Sequence, residues 1–336
     1  MPRPNLFTYA TSELSQDAAL CWLLAWAHPD CASEDVALHQ LAQQFIYLSF
    51  SKAGKDGPPT IDTVTIQRQA DRIDVLATIN DAWWLLIEDK VGTQEHSRQL
   101  ETYLEKLMQR GNPPENIAAV YVQTGEQSSY DNVYKAGFEV ITRLELLALL
   151  TDALTAGSSN AILVDFQLHL IKLEQQYQAY HTTPLNEWNG RAWQGFFNTL
   201  KLRLGTGDWD YVPTASGGFQ GFWWNWLFDD QSEAYLQLEH GRLCFKLGDF
   251  DVTMSNRVEY ARSFNARVVA AGTELGVPIT KPGRYQSGET MTAAIFPADY
   301  RVADANGVLD LEATLTHLMK AQQVLHKVFG LGPEQD

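Results

Sequence analysis

The segment IDVLATINDAWWLLIEDK, residues 73–90, sets two apolar runs on either side of a polar break. Asp74 interrupts the first run, and Glu88, Asp89 and Lys90 close the second. Side chains alternate along a strand, so Glu88 and Lys90 share one face while Asp89 points to the other. Charged groups at the buried end of a sheet cost several kcal/mol unless they pair or bind metal. Two turn geometries are open. A two-residue turn on Asn80 and Asp81 pairs Asp74 with Ile87 and separates the carboxylates. An odd loop centred on Asp81 sets Asp74 opposite Glu88. It also gathers Ile73, Val75, Ile79, Trp83, Leu85 and Ile87 on one apolar face. Burial favours this second register. Neighbouring carboxylates call for a cation, and their oxygen ligands suit Mg²⁺ or Mn²⁺. A lysine beside such an ion orients or deprotonates an attacking water, or stabilises charge developing on a phosphorane. A structural ion pair at a sheet end is the competing reading of the same residues.

The elements that must hold these groups follow from periodicity. Residues 12–28 read as a helix with Ser12 as N-cap, and Leu14, Ala18, Cys21, Trp22 and Ala25 fall at helical spacing. A second amphipathic helix spans about 34–50, and KAGKDGPP is a loop. Strands are expected at about 61–69, 73–79 and 83–91. EHSRQLETYLEKLMQR is helical and stops at GNPP, IAAVYVQT is a strand buried on both faces, and FEVIT is another. Helices then cover about 143–156 and 160–180. This order predicts an α/β layer arrangement with a mixed central sheet flanked by helices.

The texture changes near residue 185, and the sequence predicts a division into residues 1–182 and 183–336. Trp188, Trp193, Trp209, Trp223, Trp224 and Trp226 crowd the second part, where FQGFWWNWLF, AYLQLE and RLCFKLG read as an antiparallel meander turning at HG. A helix at about 254–275, the strand TMTAAIFPA and a last helix near 310–329 complete a C-terminal α+β unit. Large aromatics read first as the core such a unit needs, and second as base-stacking groups.

Composition sets outer limits. Lys and Arg total 25 against 41 Asp and Glu, a net charge of −16. The residues to 150 hold 11 basic and 20 acidic side chains, leaving 14 and 21 for the rest. Neither part attracts nucleic acid as a whole. A polyanion partner must therefore be held by a local basic patch or by metal ions. Three scattered cysteines, no apolar leader and no long apolar run point to a cytoplasmic protein with no membrane partner. P-loop, GxSxG, HExxH and paired CxxC patterns are missing. SGGFQG follows no strand-to-helix phosphate pattern.

Asp74, a hairpin spacer and then Glu88-Asp89-Lys90 resemble the signature of the PD-(D/E)XK nucleases. Gln99-Leu-Glu-Thr-Tyr103 resembles the Gln-x-x-x-Tyr motif of that superfamily's RecB-like branch, and SELSQDAALCWLLAW resembles the opening helix of an uncharacterised bacterial group within it. Ile73 stands where the signature has proline. The resemblance covers roughly residues 8–180. It implies a restriction-endonuclease-like core and a Mg²⁺- or Mn²⁺-dependent hydrolase of phosphodiesters, with DNA the expected partner and RNA the alternative. Asp74, Glu88 and Glu13 would hold metal, with Lys90 catalytic and Gln99 and Tyr103 contacting substrate. Its setting implies bacterial defence or mobile-element biology. The C-terminal unit is left for substrate selection, a protein partner or a second copy. Each assignment has a plainer reading. Glu13 suits the positive end of a helix dipole, and Asp17, one turn on, either replaces it or is solvated. Gln99 and Tyr103 could be ordinary helix surface, His96 is a surface histidine, and the fold could serve as a non-catalytic interaction module.

Overall fold

The computed structural model of the protein describes residues 3–70, 73–92, 99–214, 217–251, 254 and 256–332. His96 and the first residues of the helix expected from position 95 lie outside them. The chain divides into two compact units, Met1–Gln175 and Gln176–Asp336. The end of the long helix read at 160–180 thus falls with the second unit.

The first unit opens with α1 (Glu13–Ala25) and α2 (Val36–Lys52), followed by β1 (Val64–Ala70), β2 (Ile73–Ile79) and β3 (Trp83–Lys90). Next come α3 (Gln99–Gln109), β4 (Ile117–Gln123), the short α4 (Asp131–Lys135) and β5 (Glu139–Thr142). Two helices close it, α5 (Arg143–Thr155) and α6 (Ala161–Tyr177). The sheet order is β1-β2-β3-β4-β5. Its first three strands are antiparallel, and β4 and β5 run parallel to β3. Every residue of β4 is buried, as a central strand covered on both faces requires. Val75, Ala77, Leu85 and Ile87 pack with Leu20, Leu24 and Phe45 of the first two helices. Leu76, Leu86 and Tyr121 pack on the opposite face with Leu100, Tyr103 and Leu107 of α3.

One helix turns a different face inward from the one its spacing suggests. In α1 the buried positions are Gln16, Asp17, Ala19, Leu20, Leu23 and Leu24. Leu14 and Ala18 are exposed. The helix is apolar around much of its circumference, so periodicity alone does not single out a side. Gln16 goes inward because Asp89 and Thr124 take up its side-chain amide, and Asp17 is buried beside it.

The second unit holds α7 (Gly190–Leu204), β6 (Asp208–Thr214), β7 (Gly217–Phe228), β8 (Glu233–Glu239), β9 (Arg242–Gly248), α8 (Arg257–Leu275), β10 (Met291–Ile295) and α9 (Leu311–Val328). Its sheet is separate and antiparallel, ordered β10-β9-β8-β7-β6. The expected meander is β7-β8-β9. Spacing did not reveal α7 or β6. The latter, an acidic edge strand carrying Pro213, has the composition tolerated only where one side of a strand is unpaired. Trp193, Trp209 and Trp224 are core residues, packed among Phe196, Phe222 and Phe245. A register shift between Trp224 and Leu227 turns Trp226 to the other face, where it stacks on Tyr235. Among the described residues no helix is long and apolar enough to cross a membrane.

Candidate active site

The hairpin joining β2 to β3 sets the geometry. Its loop is Asn80, Asp81 and Ala82, with Asn80 and Asp81 at φ values of 52° and 53°. Asn and Asp tolerate this left-handed region better than other side-chain-bearing residues. The Asn80 amide is further fixed because its Oδ1 accepts from the Asp62 and Thr63 N–H groups at 2.8 and 3.0 Å. An odd loop follows, and the strands pair Ile79 with Trp83 through Val75 with Ile87. One step further along the same register, Asp74 stands across from Glu88. The Asp89 N–H donates to Asp74 Oδ2 at 2.9 Å and holds that end of the hairpin closed.

Lys90 joins the two carboxylates. Its Nζ lies 2.7 Å from Glu88 Oε1 and 3.8 Å from Asp74 Oδ2, and it donates to the Asp89 carbonyl at 3.1 Å. Glu88 is buried, while the Asp74 and Lys90 side chains keep 23% and 14% of their surface. The site therefore opens at the Asp74–Lys90 side. Burial works against the Lys90 ammonium, but the adjacent Glu88 carboxylate, with Asp74 and Glu13 beyond it, holds its pKa above the ordinary lysine value.

Asp89 points to the opposite face, as alternation predicts, and is fully buried there against α1. Gln16 Nε2 donates to Asp89 Oδ1, and Gln16 Oε1 accepts from the Thr124 hydroxyl at 2.6 Å. Burial pushes the Asp89 carboxyl well above its usual range, against the Gln16 hydrogen bond. Asp17 is buried as well, which removes the reading of it as a solvated helix residue. Burial, then the Asp74 charge, raises it to about 6. Asp17 Oδ1 and Asp89 Oδ2 have no hydrogen-bond partner among the described residues. Glu13, first residue of α1, is half-buried and acts electrostatically on Lys90, Asp17 and Asp89.

Two expected substrate contacts fare differently. Tyr103 is 3% exposed and packs in the core beneath the sheet with Leu76 and Leu86, a different place from an open cleft wall. Gln99 begins α3, but its side chain lies outside the described residues. Spacing also missed a residue. Gln123, at the end of β4, pairs in register with Lys90, is 1% exposed, and has neither amide atom paired among the described residues. It closes an apolar run and so reads as a strand terminus. Only the parallel β3–β4 register puts it beside the lysine.

The donor set tests what this site could hold. Asp74 and Glu88 offer hard carboxylate oxygens converging on one positive charge. Among the described residues no group of three or more Asp, Glu, His or Cys side chains is placed to hold a metal ion, so the protein would supply two carboxylates at most from this pair. That combination fits an ion such as Mg²⁺, which takes one or two carboxylates and fills its remaining positions with water or substrate oxygens. It does not fit a structural zinc site, which needs four protein ligands.

Comparison with known proteins agrees with this chemistry. The model of the PD-(D/E)XK nuclease superfamily matches residues 6–186, more than half of the chain and all of β1–β5 and α1–α6. No curated protein and no solved structure matches.

Proposed function

Because the chain belongs to the PD-(D/E)XK nuclease superfamily, and its mixed sheet with flanking helices has the restriction-endonuclease-like arrangement, we propose that it is a divalent-metal-dependent phosphodiesterase acting on DNA. The observation that carries this reading is the single ammonium of Lys90 shared by Asp74 and Glu88 across a hairpin. Asp74 and Glu88 would hold the ion, with Glu13 adding negative charge from α1. Bound there, a divalent cation supplies Lewis-acid polarisation of the phosphate and makes its bound water a better nucleophile.

The chain's own groups do the rest. Glu88, buried and fixed by Lys90, presents a carboxylate that need not reorganise when charge develops. Lys90 stands at the open side, where it orients the attacking water or stabilises charge on the phosphorane oxygens. The Asp89 backbone N–H aims the Asp74 carboxylate, while the Asp89 side chain ties the strand to α1 through Gln16. An ordinary ion pair sets one carboxylate against one lysine, and Lys90 has more acid about it than that. Three carboxylates, those of Glu88, Asp74 and Glu13, act on this one lysine, and such a surplus of negative charge becomes more favourable when a multivalent cation is present. The C-terminal unit is assigned to substrate selection or partner contact.

The test incubates pure protein with single-stranded, duplex and circular DNA and with RNA, each with Mg²⁺, Mn²⁺ or EDTA. Cleavage of DNA that EDTA abolishes is expected. Cleavage of RNA alone would change the substrate assignment, and no divalent-dependent cleavage of any of them would leave an interaction module on a nuclease fold.

A further inference from the structure

The five-stranded sheet of the second unit has one face in the core and an opposite face that carries several polar and charged side chains. Leu236, Leu238, Leu243, Phe245 and Leu247 belong to the core shared with the helices. Alternation along β8 and β9 sends Tyr235, Glu239, Arg242 and Lys246 to the other side, and Thr292 of β10 pairs with Lys246. Residues 281–290 fold back over this end of the sheet. Between them lies a pocket of about 370 Å³, lined by Arg242, Lys246, Arg284, Ser287, Thr290 and Thr292 among others. The segment over the pocket is tied down. Arg257 donates to the Gly288 carbonyl at 3.0 Å, and the Arg262 guanidinium lies over the Tyr285 ring at 5.8 Å.

Lys246 lines the pocket and is 9% exposed. Among the described residues its hydrogen bonds run to Glu239 Oε1 at 3.4 Å and Thr292 Oγ1 at 3.3 Å. Both exceed the usual N–H···O range of about 2.7–3.2 Å. Glu239 also serves Arg242, at 3.3 Å. One carboxylate at stretched distances therefore answers two cations, and Arg284 adds a third from the loop. Lys281 and Glu289 on that loop offset each other. In a chain of net charge −16, this is a local excess of positive charge around a cavity large enough for a small ligand. An ammonium this buried has donors to spare, and an anion in the pocket would engage them.

We propose that this pocket binds a phosphate group. Lys246 and Arg242 meet its charge from the sheet, Arg284 closes over it from the loop, and the Ser287 and Thr292 hydroxyls donate to its oxygens. The phosphate is carried either by a free nucleotide or by a nucleic-acid backbone. The site belongs to the second unit and stands whether or not the first unit cleaves DNA.

Calorimetry on the full chain in EDTA tests it, because chelation removes any metal-borne phosphate binding at β3. The probes are inorganic pyrophosphate, ADP and a short single-stranded oligodeoxynucleotide. Pyrophosphate should bind, and Lys246→Met should weaken it on the order of tenfold or more, as loss of a charged hydrogen-bond donor does. Arg284→Ala, on the loop, is the deciding variant if Lys246→Met does not fold, and should weaken binding in the same direction. Displacement of pyrophosphate by ADP alone assigns the phosphate to a free nucleotide, and displacement by the oligonucleotide assigns it to a backbone. Displacement by neither, failure of pyrophosphate to bind, or unchanged affinity in the deciding variant overturns the proposal.

Discussion

Each five-stranded sheet of this protein holds a largely buried lysine toward one end of a strand, and their surroundings are opposite in sign. Lys90 sits 2.7 Å from a buried glutamate with further carboxylates of Asp74 and Glu13 acting on it. Lys246 has one carboxylate at 3.4 Å, which it shares with Arg242. An ammonium inside a surplus of acid marks a place where more positive charge is welcome. An ammonium inside a surplus of base marks a place for an anion. Burial of the lysine is common to both sites, so the balance of neighbouring charge, and not burial, tells them apart.

The largest expected effect breaks the acidic site. Glu88→Ala should abolish divalent-dependent cleavage and weaken Mn²⁺ binding measured by calorimetry. Lys90→Ala should lower cleavage by about 10²–10³ while sparing much of the Mn²⁺ binding, because its role is on water or developing charge. Cleavage at the wild-type rate by Lys90→Ala would end its catalytic assignment.

Stability sharpens the comparison next. Removing one partner of a buried, close ion pair costs about 3–5 kcal/mol, so Lys90→Met in EDTA should be destabilised on that scale. Lys246→Met gives up only contacts of 3.3–3.4 Å and leaves Glu239 with Arg242 and Gln237, so its cost should be clearly smaller than that of Lys90→Met. Urea unfolding of both variants decides this, and equal losses would erase the distinction.

Neighbouring residues of β3 should also separate. Asp89→Asn keeps an acceptor for Gln16 and removes a carboxylate that burial disfavours. We expect most of the wild-type cleavage to remain and urea resistance to be unchanged or raised. A loss like that of Lys90→Ala would place Asp89 in the chemistry.

The smallest effect concerns the hairpin that positions β9. His240 adopts φ 51°, packs its ring at a tilt against Trp193 with centroids 4.9 Å apart, and accepts from the Gln220 N–H through Nε2 at 3.1 Å. Burial and then the Arg301 charge lower its pKa from 6.5. The unfolded chain therefore binds a proton at a higher pH than the folded one. The stability His240 contributes is complete above the ordinary histidine pKa and is lost as the pH falls through the folded value. His240→Asn, which tolerates the same backbone, should flatten the acid limb of melting temperature against pH. An unchanged limb would assign that slope to other groups.

The β2–β3 register was legible because strand alternation has a period of two. Only the odd loop buries Val75, Ile79, Leu85 and Ile87 together, and that loop brings Asp74 to Glu88. Element order in the first unit was legible for a similar reason, since each strand and helix carries its own pattern. The inward face of α1 was not. Gln16 is buried by Asp89 and Thr124, which are 73 and 108 residues away. Gln123 reaches Lys90 only through the parallel pairing of β3 with β4. The pocket at Lys246 likewise joins β9 to a loop some forty residues downstream. Local sequence determined what repeats along one strand or helix, because a side chain's direction there depends on its immediate backbone. Tertiary structure decided which distant polar groups share a buried space, because their charges interact only after the chain brings them together.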